Sequence, residues 1–247
     1  MSSVAQAEWY AKLYEYSDGE AEATLYPSSA KDPGPEGGIR KRWDISEEER
    51  QARDKQNRER TISRARCRLR RAIQGAGLDT LWTATYEVSE LSLAQAKEDF
   101  ARFARRMRET FGRFPYAVVY ERQEGRGQKE GNAGSWHVHF ATRGFYDWSA
   151  VRRLWGKGHV QYQKPKRSGR WVPAKMAGYL AKYLGKAMQE AQGDRLYSRS
   201  EGLEIPEGLE IRFASYGAMM QWVEREFGQE AFVQENDEGY PVWVCSW

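Results

Sequence analysis

The chain contains few cysteines, which form the disulfides of small secreted proteins, and lacks the long apolar runs that hold proteins in membranes. It has only two cysteines, Cys67 and Cys245, without C-x-x-C spacing, so neither a disulfide framework nor a zinc knuckle is predicted. It has no run of about 18 apolar residues, and its first residues lack the apolar segment of a signal peptide. These absences predict a soluble intracellular protein with no membrane contact.

Histidine is also scarce, and two of the three histidines stand one residue apart in the segment Trp136–Phe140. Alternation along a strand places His137 and His139 on one face, about 7 Å apart at roughly 3.3 Å of rise per residue, and apolar residues on the other face. Imidazole pairs are common metal ligands, although a merely polar strand face explains this motif equally well. The third histidine, His159, is expected to be structural or on the surface.

Hydrophobic periodicity predicts the order of strands and helices from Leu81 onward. Strands are expected at 81–88, 116–123, 135–142 and 159–163, and helices at 92–111, 148–155 and 173–192. The resulting β-α-β-β-α-β core is typical of the split βαβ unit. We therefore expect an α+β fold with a ferredoxin-like (RRM-like) antiparallel sheet, helices on one face of that sheet, and an N-terminal helical extension.

Composition predicts three parts of the chain. Residues 1–45 include stretches rich in proline and glycine and are expected to form a partly flexible extension. Residues 46–77 are expected to form a helix that packs on or leads into the core, beginning with a capping box of Ser46 and Glu49. Residues 78–247 are predicted to be the functional domain, with additional strands and a helix at the C-terminal end.

The second half of the predicted helix is strongly basic. Its arginines are Arg58, Arg60, Arg64, Arg66, Arg68, Arg70 and Arg71. Because arginines at alternating positions point all round a helix, several of them cannot face a core. A solvated helix with ion pairs and a surface that follows phosphates explain this pattern equally well.

An acidic residue on the preceding strand can join the two histidines. If 116–123 and 135–142 pair as a hairpin, an even register sum of 258 places Glu121 opposite His137, and a sum of 260 places it opposite His139. Either register makes a site of two imidazoles and a carboxylate. Gln123 lies on the same strand face and is a candidate outer ligand or partner of the ligands.

The predicted helix near the end of this region carries two tyrosines. Tyr179 and Tyr183 are four residues apart and share a helix face, and Lys182 and Lys186 continue that stripe. The adjoining apolar stripe can dock on the sheet. A phenol close to cations can become a nucleophile, whereas for this helix alone packing of both rings in an interface is the simpler explanation.

Taken in order, these motifs resemble those of the HUH endonucleases, specifically the rolling-circle replication initiators of plasmids and single-stranded DNA phages. The first motif is similar to residues 81–86, the second to Tyr120–Gln123 followed by the His-x-His strand, and the third, in its two-tyrosine form, to 178–186. The resemblance covers roughly residues 60–200. The long loop 125–134 and a small residue, Ala84, depart from the family pattern, and no G-x-x-x-x-G-K-[ST] motif of a helicase domain is present.

The resemblance implies roles for individual residues. His137, His139 and Glu121 would bind Mg²⁺ or Mn²⁺. Tyr179 would attack the scissile phosphate and form a 5′-phosphotyrosine, with Lys182 steadying the charge, and Tyr183 would serve the second transfer, although either tyrosine could act first. The residues expected to grip DNA are Arg64, Arg66, Arg68, Arg70, Arg71, Arg126, Lys129 and Lys186.

The implied partners are single-stranded or hairpin origin DNA, with a host helicase and polymerase acting in trans in the cytoplasm of a bacterial host. Two rival functions remain. One is an HUH transposase or relaxase, although relaxases often place the tyrosine ahead of the histidines. The other is a non-catalytic RRM-like module that binds nucleic acid, whose usual aromatic signature is absent from this sequence.

Overall fold

A computed structural model describes residues 9–28, 46–87, 92–123, 135–163, 173–190, 195–203, 205–228, 231–235 and 241–245. Contacts group the chain into two compact units, residues 1–55 with 206–247 (unit 1) and residues 56–205 (unit 2). Each unit contains one five-stranded sheet. Within the described ranges, no helix combines the length and the apolar character needed to cross a membrane.

Strands and helices alternate irregularly along the chain. In chain order they are β1 (Trp9–Glu15), β2 (Ala21–Pro27), α1 (Glu47–Gly75), β3 (Thr80–Thr85), α2 (Leu93–Phe111), β4 (Tyr116–Gln123), β5 (Ser135–Thr142), α3 (Trp148–Trp155), β6 (Val160–Gln163), α4 (Pro173–Glu190), β7 (Tyr197–Arg199), β8 (Leu209–Phe213), α5 (Tyr216–Phe227), β9 (Phe232–Glu235) and β10 (Pro241–Cys245).

The sheet of unit 2 has the strand order β6-β3-β5-β4-β7, with every neighbouring pair antiparallel. Without β7 this is the order of a split βαβ unit, because β5 lies between β3 and β4. The α+β fold class is confirmed. The strand β7 adds an edge beyond the predicted core by pairing with β4.

Helices cover both faces of this sheet, so the prediction of helices on one face only is wrong. On one face α2 and α3 pack against even-numbered strand residues such as Trp82, Val118 and Phe140. On the other face α1 and α4 pack against odd-numbered residues such as Leu81 and Val119. The cause is visible in β4, where consecutive apolar residues leave neither face polar along most of the strand.

The basic helix α1 joins this second core through its C-terminal half. Residues 46–60 are exposed, whereas Ile62, Ala65, Leu69 and Ile73 are buried at helical spacing. The capping box at its start is confirmed, because the Ser46 amide donates to Glu49 Oε2 at 3.1 Å and the Glu49 amide donates to Ser46 Oγ at 3.2 Å.

Unit 1 differs from the predicted division of the chain at 45 and 78. The strands β1 and β2, which lie within the predicted extension, form the centre of a sheet with the order β8-β1-β2-β10-β9. The helix α5 packs on it through residues that include Met219 and Trp222. The C-terminal strands therefore complete a sheet with the N-terminal segment instead of extending the sheet of unit 2.

A buried carboxylate on α2 stabilises unit 2. Asp99 is 4% exposed, and its Oδ1 accepts from Gln95 Nε2 at 3.2 Å and from Arg102 Nη2 at 2.5 Å, with Lys157 Nζ at 3.5 Å. Burial acts to raise the pKa of Asp99. The hydrogen bonds from Arg102 and Gln95 and the charge of Lys157 outweigh burial and hold this pKa below its ordinary value.

We expect Asp99→Asn to lower the free energy of unfolding by about 1–2 kcal/mol at about pH 7. The carboxylate contributes fully above its unfolded pKa of roughly 4, and its contribution is lost as the pH falls through the lower folded pKa. Urea unfolding should therefore show a smaller difference from wild type at about pH 3 than at about pH 7.

The matched control is Glu98→Gln, which removes an exposed carboxylate that pairs with the same Arg102 at 3.3 Å. It should change the unfolding free energy little at either pH because exposed ion pairs contribute little. A deficit of Asp99→Asn that is equal at both pH values would contradict this account.

Candidate active site

The site is centred on His139, a residue of β5 that is 3% exposed. Thr83 lies directly opposite on β3, and its Oγ1 is 3.0 Å from His139 Nδ1. On the other side of the ring, His139 Nε2 is 3.0 Å from Glu121 Oε2. Both ring nitrogens therefore have a partner, and the orientation of the imidazole is set by two neighbouring strands.

Glu121 reaches this ring diagonally. In the β4–β5 register it lies opposite His137, which is the register sum of 258, yet its carboxylate contacts His139, two residues along the strand. Its Oε1 accepts from Lys186 Nζ of α4 at 3.0 Å. Burial acts to raise the Glu121 pKa, but the hydrogen bonds from His139 and Lys186 outweigh it and lower this pKa, so the carboxylate stays ionised.

His137 completes the strand face beside this pair. It is half-buried, and its ring centroid lies 6.0 Å from that of His139. Burial and then the neighbouring His139 lower the pKa of His137, which favours the neutral imidazole. Among the described residues its ring has no hydrogen-bond partner, so its nitrogens face no competing contact there.

Two tyrosines of α4 cover the histidine. The Tyr183 ring lies nearly parallel to the His139 ring, with centroids 4.2 Å apart and an interplanar angle of 17°. The Tyr183 hydroxyl is 2.7 Å from that of Tyr179, and Gln163 Nε2 donates to Tyr179 Oη at 3.0 Å. Burial, the hydrogen bond with Tyr179 and the charge of Glu121 raise the pKa of Tyr183 well above its ordinary value.

The structure thus brings together most of the residues that the sequence nominates. His137, His139, Glu121, Tyr179 and Tyr183 are neighbours. Lys186, which was predicted to contact DNA, pairs with Glu121 in this structure, and its contact with DNA stays a prediction.

Two nominated residues lie at the margin of the site. Lys182 is exposed, and within the described part of the chain it has no hydrogen bond or ion pair. Gln123 is exposed at the end of β4, opposite Ser135. Their roles stay predictions.

Two residues of the site were missed from the sequence. Thr83 could have been found, because alternation along β3 places it on the same sheet face as Leu81, and the register with β5 brings it to His139. Gln163 gives no comparable signal, because its partner Tyr179 lies on a different element across the intervening segment 164–172.

The predicted DNA-binding arginines of α1 divide into buried and exposed ones. Arg70 is buried and its Nη2 lies 3.6 Å from Cys67 Sγ, so its placement on an exposed phosphate-binding face is wrong. Arg64, Arg66 and Arg68 are exposed, and Arg71 is half-buried. Arg126 and Lys129 lie outside the described residues.

The donor atoms at the site suit a divalent cation in chemistry, but His139 and Glu121 are hydrogen-bonded to each other. Among the described residues, no three His, Cys, Asp or Glu side chains are already arranged as a metal centre.

Thr83 supports the choice of His139 as a candidate ligand. Its Oγ1 lies 3.0 Å from Nδ1, the ring nitrogen on the far side from Glu121, so a hydroxyl fixes that nitrogen while Nε2 faces the carboxylate. A fixed partner on the distal ring nitrogen is the usual arrangement of metal-binding histidines. His137, His139 and Glu121 are the residues whose donor atoms suit a divalent cation, and metal binding by them stays a prediction.

Comparison with known proteins gives one match. Residues 79–188, a little under half of the chain, match the model of a family of replication-associated proteins, the ORF2 type. The matched region contains all the residues described at this site, and the match supports a role in DNA replication. No curated protein and no solved structure matches the chain.

The contact between Lys186 and Glu121 can be tested by a double-mutant cycle. Glu121→Gln, Lys186→Met and their combination should give a coupling energy of about 1 kcal/mol in urea unfolding. A larger value is not expected, because the lysine is partly exposed to solvent. The same cycle with Lys182→Met, one turn earlier on α4, should give a coupling near zero. Equal coupling for both lysines would contradict the described geometry.

Proposed function

We propose that this protein is a metal-dependent endonuclease of the HUH type that nicks and rejoins single-stranded DNA to start rolling-circle replication. The observation that carries the proposal is the contact between nucleophile candidates and metal-ligand candidates: the Tyr183 ring lies 4.2 Å from that of His139, and its hydroxyl is 2.7 Å from Tyr179. The match of this region to a replication-associated family supports the biological role.

The two tyrosines have different surroundings, which favours Tyr179 as the first nucleophile. Gln163 donates to Tyr179 Oη at 3.0 Å, and a donor to this oxygen stabilises the phenolate that must form. Burial, the hydrogen bond with Tyr179 and the negative charge of Glu121 raise the pKa of Tyr183, which opposes its ionisation. Tyr183 is therefore the residue left for the second transfer.

The covalent step conserves the energy of the phosphodiester bond, because a new phosphorus–oxygen bond to tyrosine replaces the one that is broken. The Tyr179 phenolate oxygen attacks phosphorus, the bond from phosphorus to the 3′ oxygen breaks, and the 3′ oxygen takes up a proton. The products are a 5′-phosphotyrosine and a free 3′-OH that a polymerase can extend. Lys182, exposed on the same helix, is proposed to steady the developing negative charge.

A divalent cation, Mg²⁺ or Mn²⁺, bound by His137, His139 and Glu121 would polarise the scissile phosphate. The protein's own contribution is orientation. Thr83 and Lys186 hold the ring of His139 and the carboxylate of Glu121, while the stacked Tyr183 limits the space above them. Gln123 is proposed as an outer ligand.

A non-catalytic RRM-like module is disfavoured by the way this sheet is covered. Such modules stack bases on an open sheet face. Here α1 and α4 cover one face and α2 and α3 cover the other. An HUH transposase or relaxase would share the proposed chemistry and differ only in its DNA substrate.

The nucleophile is tested by covalent adduct formation. A pool of random-sequence single-stranded oligonucleotides labelled at the 3′ end is incubated with the protein and Mn²⁺, and the SDS-resistant adduct is measured. Tyr179→Phe should abolish the first adduct, whereas Tyr183→Phe should retain it, and mass spectrometry should find the link on Tyr179.

Tyr162→Phe, a change of another tyrosine of the same sheet, is the control and should leave the adduct unchanged. If Tyr179→Phe retained the adduct and Tyr183→Phe lost it, the proposed order would be reversed. If neither change affected the adduct, the tyrosine mechanism itself would fail.

The metal ligands are tested at His137, because among the described residues its ring makes no hydrogen bond that folding depends on. His137→Ala should abolish the Mn²⁺-dependent adduct while DNA binding and the free energy of unfolding stay near wild type. The control is His159→Ala, since His159 is exposed and its side chain makes no hydrogen bond among the described residues. An equal loss in both variants would argue against a metal site at His137.

A further inference from the structure

Unit 2 carries a second cluster of functional groups, at the opposite end of its sheet from the tyrosines. Two adjoining cavities of about 460 and 380 Å³ share Arg113, Pro115 and Leu203 in their walls. Arg108 and Arg199 line the larger cavity and Arg143 lines the smaller one. We call Arg108, Arg113, Arg143 and Arg199 with these two cavities the arginine pocket.

The fold gathers these arginines from four places in the chain. Arg108 is in the last turn of α2, Arg113 follows that helix, Arg143 follows β5, and Arg199 ends β7. The strand register explains why these arginines lie close together. Tyr116 at the start of β4 pairs with Thr142 at the end of β5, so the segments next to these two ends are neighbours. In addition, the Ser200 amide after β7 donates to the Tyr116 carbonyl at 2.9 Å.

The charge of the arginine pocket is not balanced locally. Glu201 is the carboxylate in its wall. Within the described residues, none of the four arginines forms an ion pair with a carboxylate. Arg199 is held in place by donating to the Leu203 carbonyl at 2.8 Å.

Guanidinium groups bind phosphate oxygens in bidentate fashion, so four arginines that line two adjoining cavities favour a ligand that carries phosphate. Tyr116 on β4 lines this pocket and Glu121 on the same strand belongs to the candidate active site, five residues apart. At roughly 3.3 Å per residue the two sites are about 17 Å apart along the strand.

We propose that the arginine pocket binds phosphates of a DNA strand at a distance from the tyrosines and so adds length-dependent affinity. The choice of DNA as the polyanion rests on the proposed function. The pocket itself needs only phosphodiester charge, so binding there does not depend on base identity or on cleavage.

The test measures binding without cleavage. In a Tyr179→Phe/Tyr183→Phe background, the affinity for fluorescent single-stranded oligonucleotides of short and long length is measured against salt concentration. Arg113→Gln with Arg143→Gln should reduce the slope of log K against log salt by about 1.4, at about 0.7 per lost phosphate contact, and should weaken binding of the long oligonucleotide more than the short one.

Two variants keep this test specific. Arg105→Gln with Arg153→Gln removes the same charge from exposed positions of α2 and α3 outside the pocket and should leave the slope unchanged. Arg113→Lys with Arg143→Lys keeps the charge and should restore most of the slope, which separates loss of charge from a disturbed fold.

An unchanged slope in the glutamine variant, or an equal loss in the control, would overturn the proposal. Saturable binding of a deoxynucleoside monophosphate that depends on Arg113 and leaves binding of the long oligonucleotide unchanged would also overturn it, in favour of a small phosphate ligand. This assay uses protein with both tyrosines replaced by phenylalanine and measures only binding. If the intact protein failed to form an adduct, the proposed function would fail but the measured role of the arginine pocket would not change.

Discussion

The contact between Glu121 and His139 is the interaction on which the functional half of the molecule depends. A carboxylate and an imidazole that are almost completely buried are costly unless their remaining donors and acceptors have partners. Here Thr83 satisfies the far side of the imidazole and Lys186 the far side of the carboxylate. Because these residues come from β3, β4, β5 and α4, the pair forms only when all four elements are in place.

The arginine-rich helix α1 has a structural role that accounts for part of its charge. Arg58 Nη2 donates to the Met188 carbonyl at 3.3 Å and to the Gln189 carbonyl at 2.7 Å, near the negative end of α4. A side-chain carbon added at Gly185 would come within 3.3 Å of Arg66 Cδ, so α1 and α4 approach closely at that glycine. The helix that carries the tyrosines is therefore held between the sheet and α1.

The sequence predicts those parts of the site that follow from local periodicity. The two-residue repeat places His137 and His139 on one face, the four-residue spacing places Tyr179 and Tyr183 together, and an even register allows Glu121 to join them. Periodicity cannot say which of two even registers forms, nor that a side chain reaches diagonally to His139 instead of across to His137. Lys186 on α4 donates to the other oxygen of this carboxylate. The orientation of Glu121 therefore depends on a contact with a helix, which strand periodicity does not include.

The larger errors concern contacts between residues far apart in sequence. Alternation predicts one buried and one open face, yet a run such as Ala117 to Tyr120 in β4 can bury both faces when a helix is available for each. Likewise, no local pattern shows that β2 pairs with β10, whose residues are more than 200 positions later. Such pairings become evident only when the sheet is complete, because backbone hydrogen bonds carry no sequence signature.

The geometry of the two phenols constrains how they can act. At 2.7 Å, one hydroxyl can donate to the other while one of them is ionised, which stabilises a single phenolate. Ionising both would place two like charges in contact beside the Glu121 carboxylate, which is unfavourable. Two phenols so close together are therefore suited to the successive transfers that we propose, with Tyr183, which stacks on His139, left for the second one.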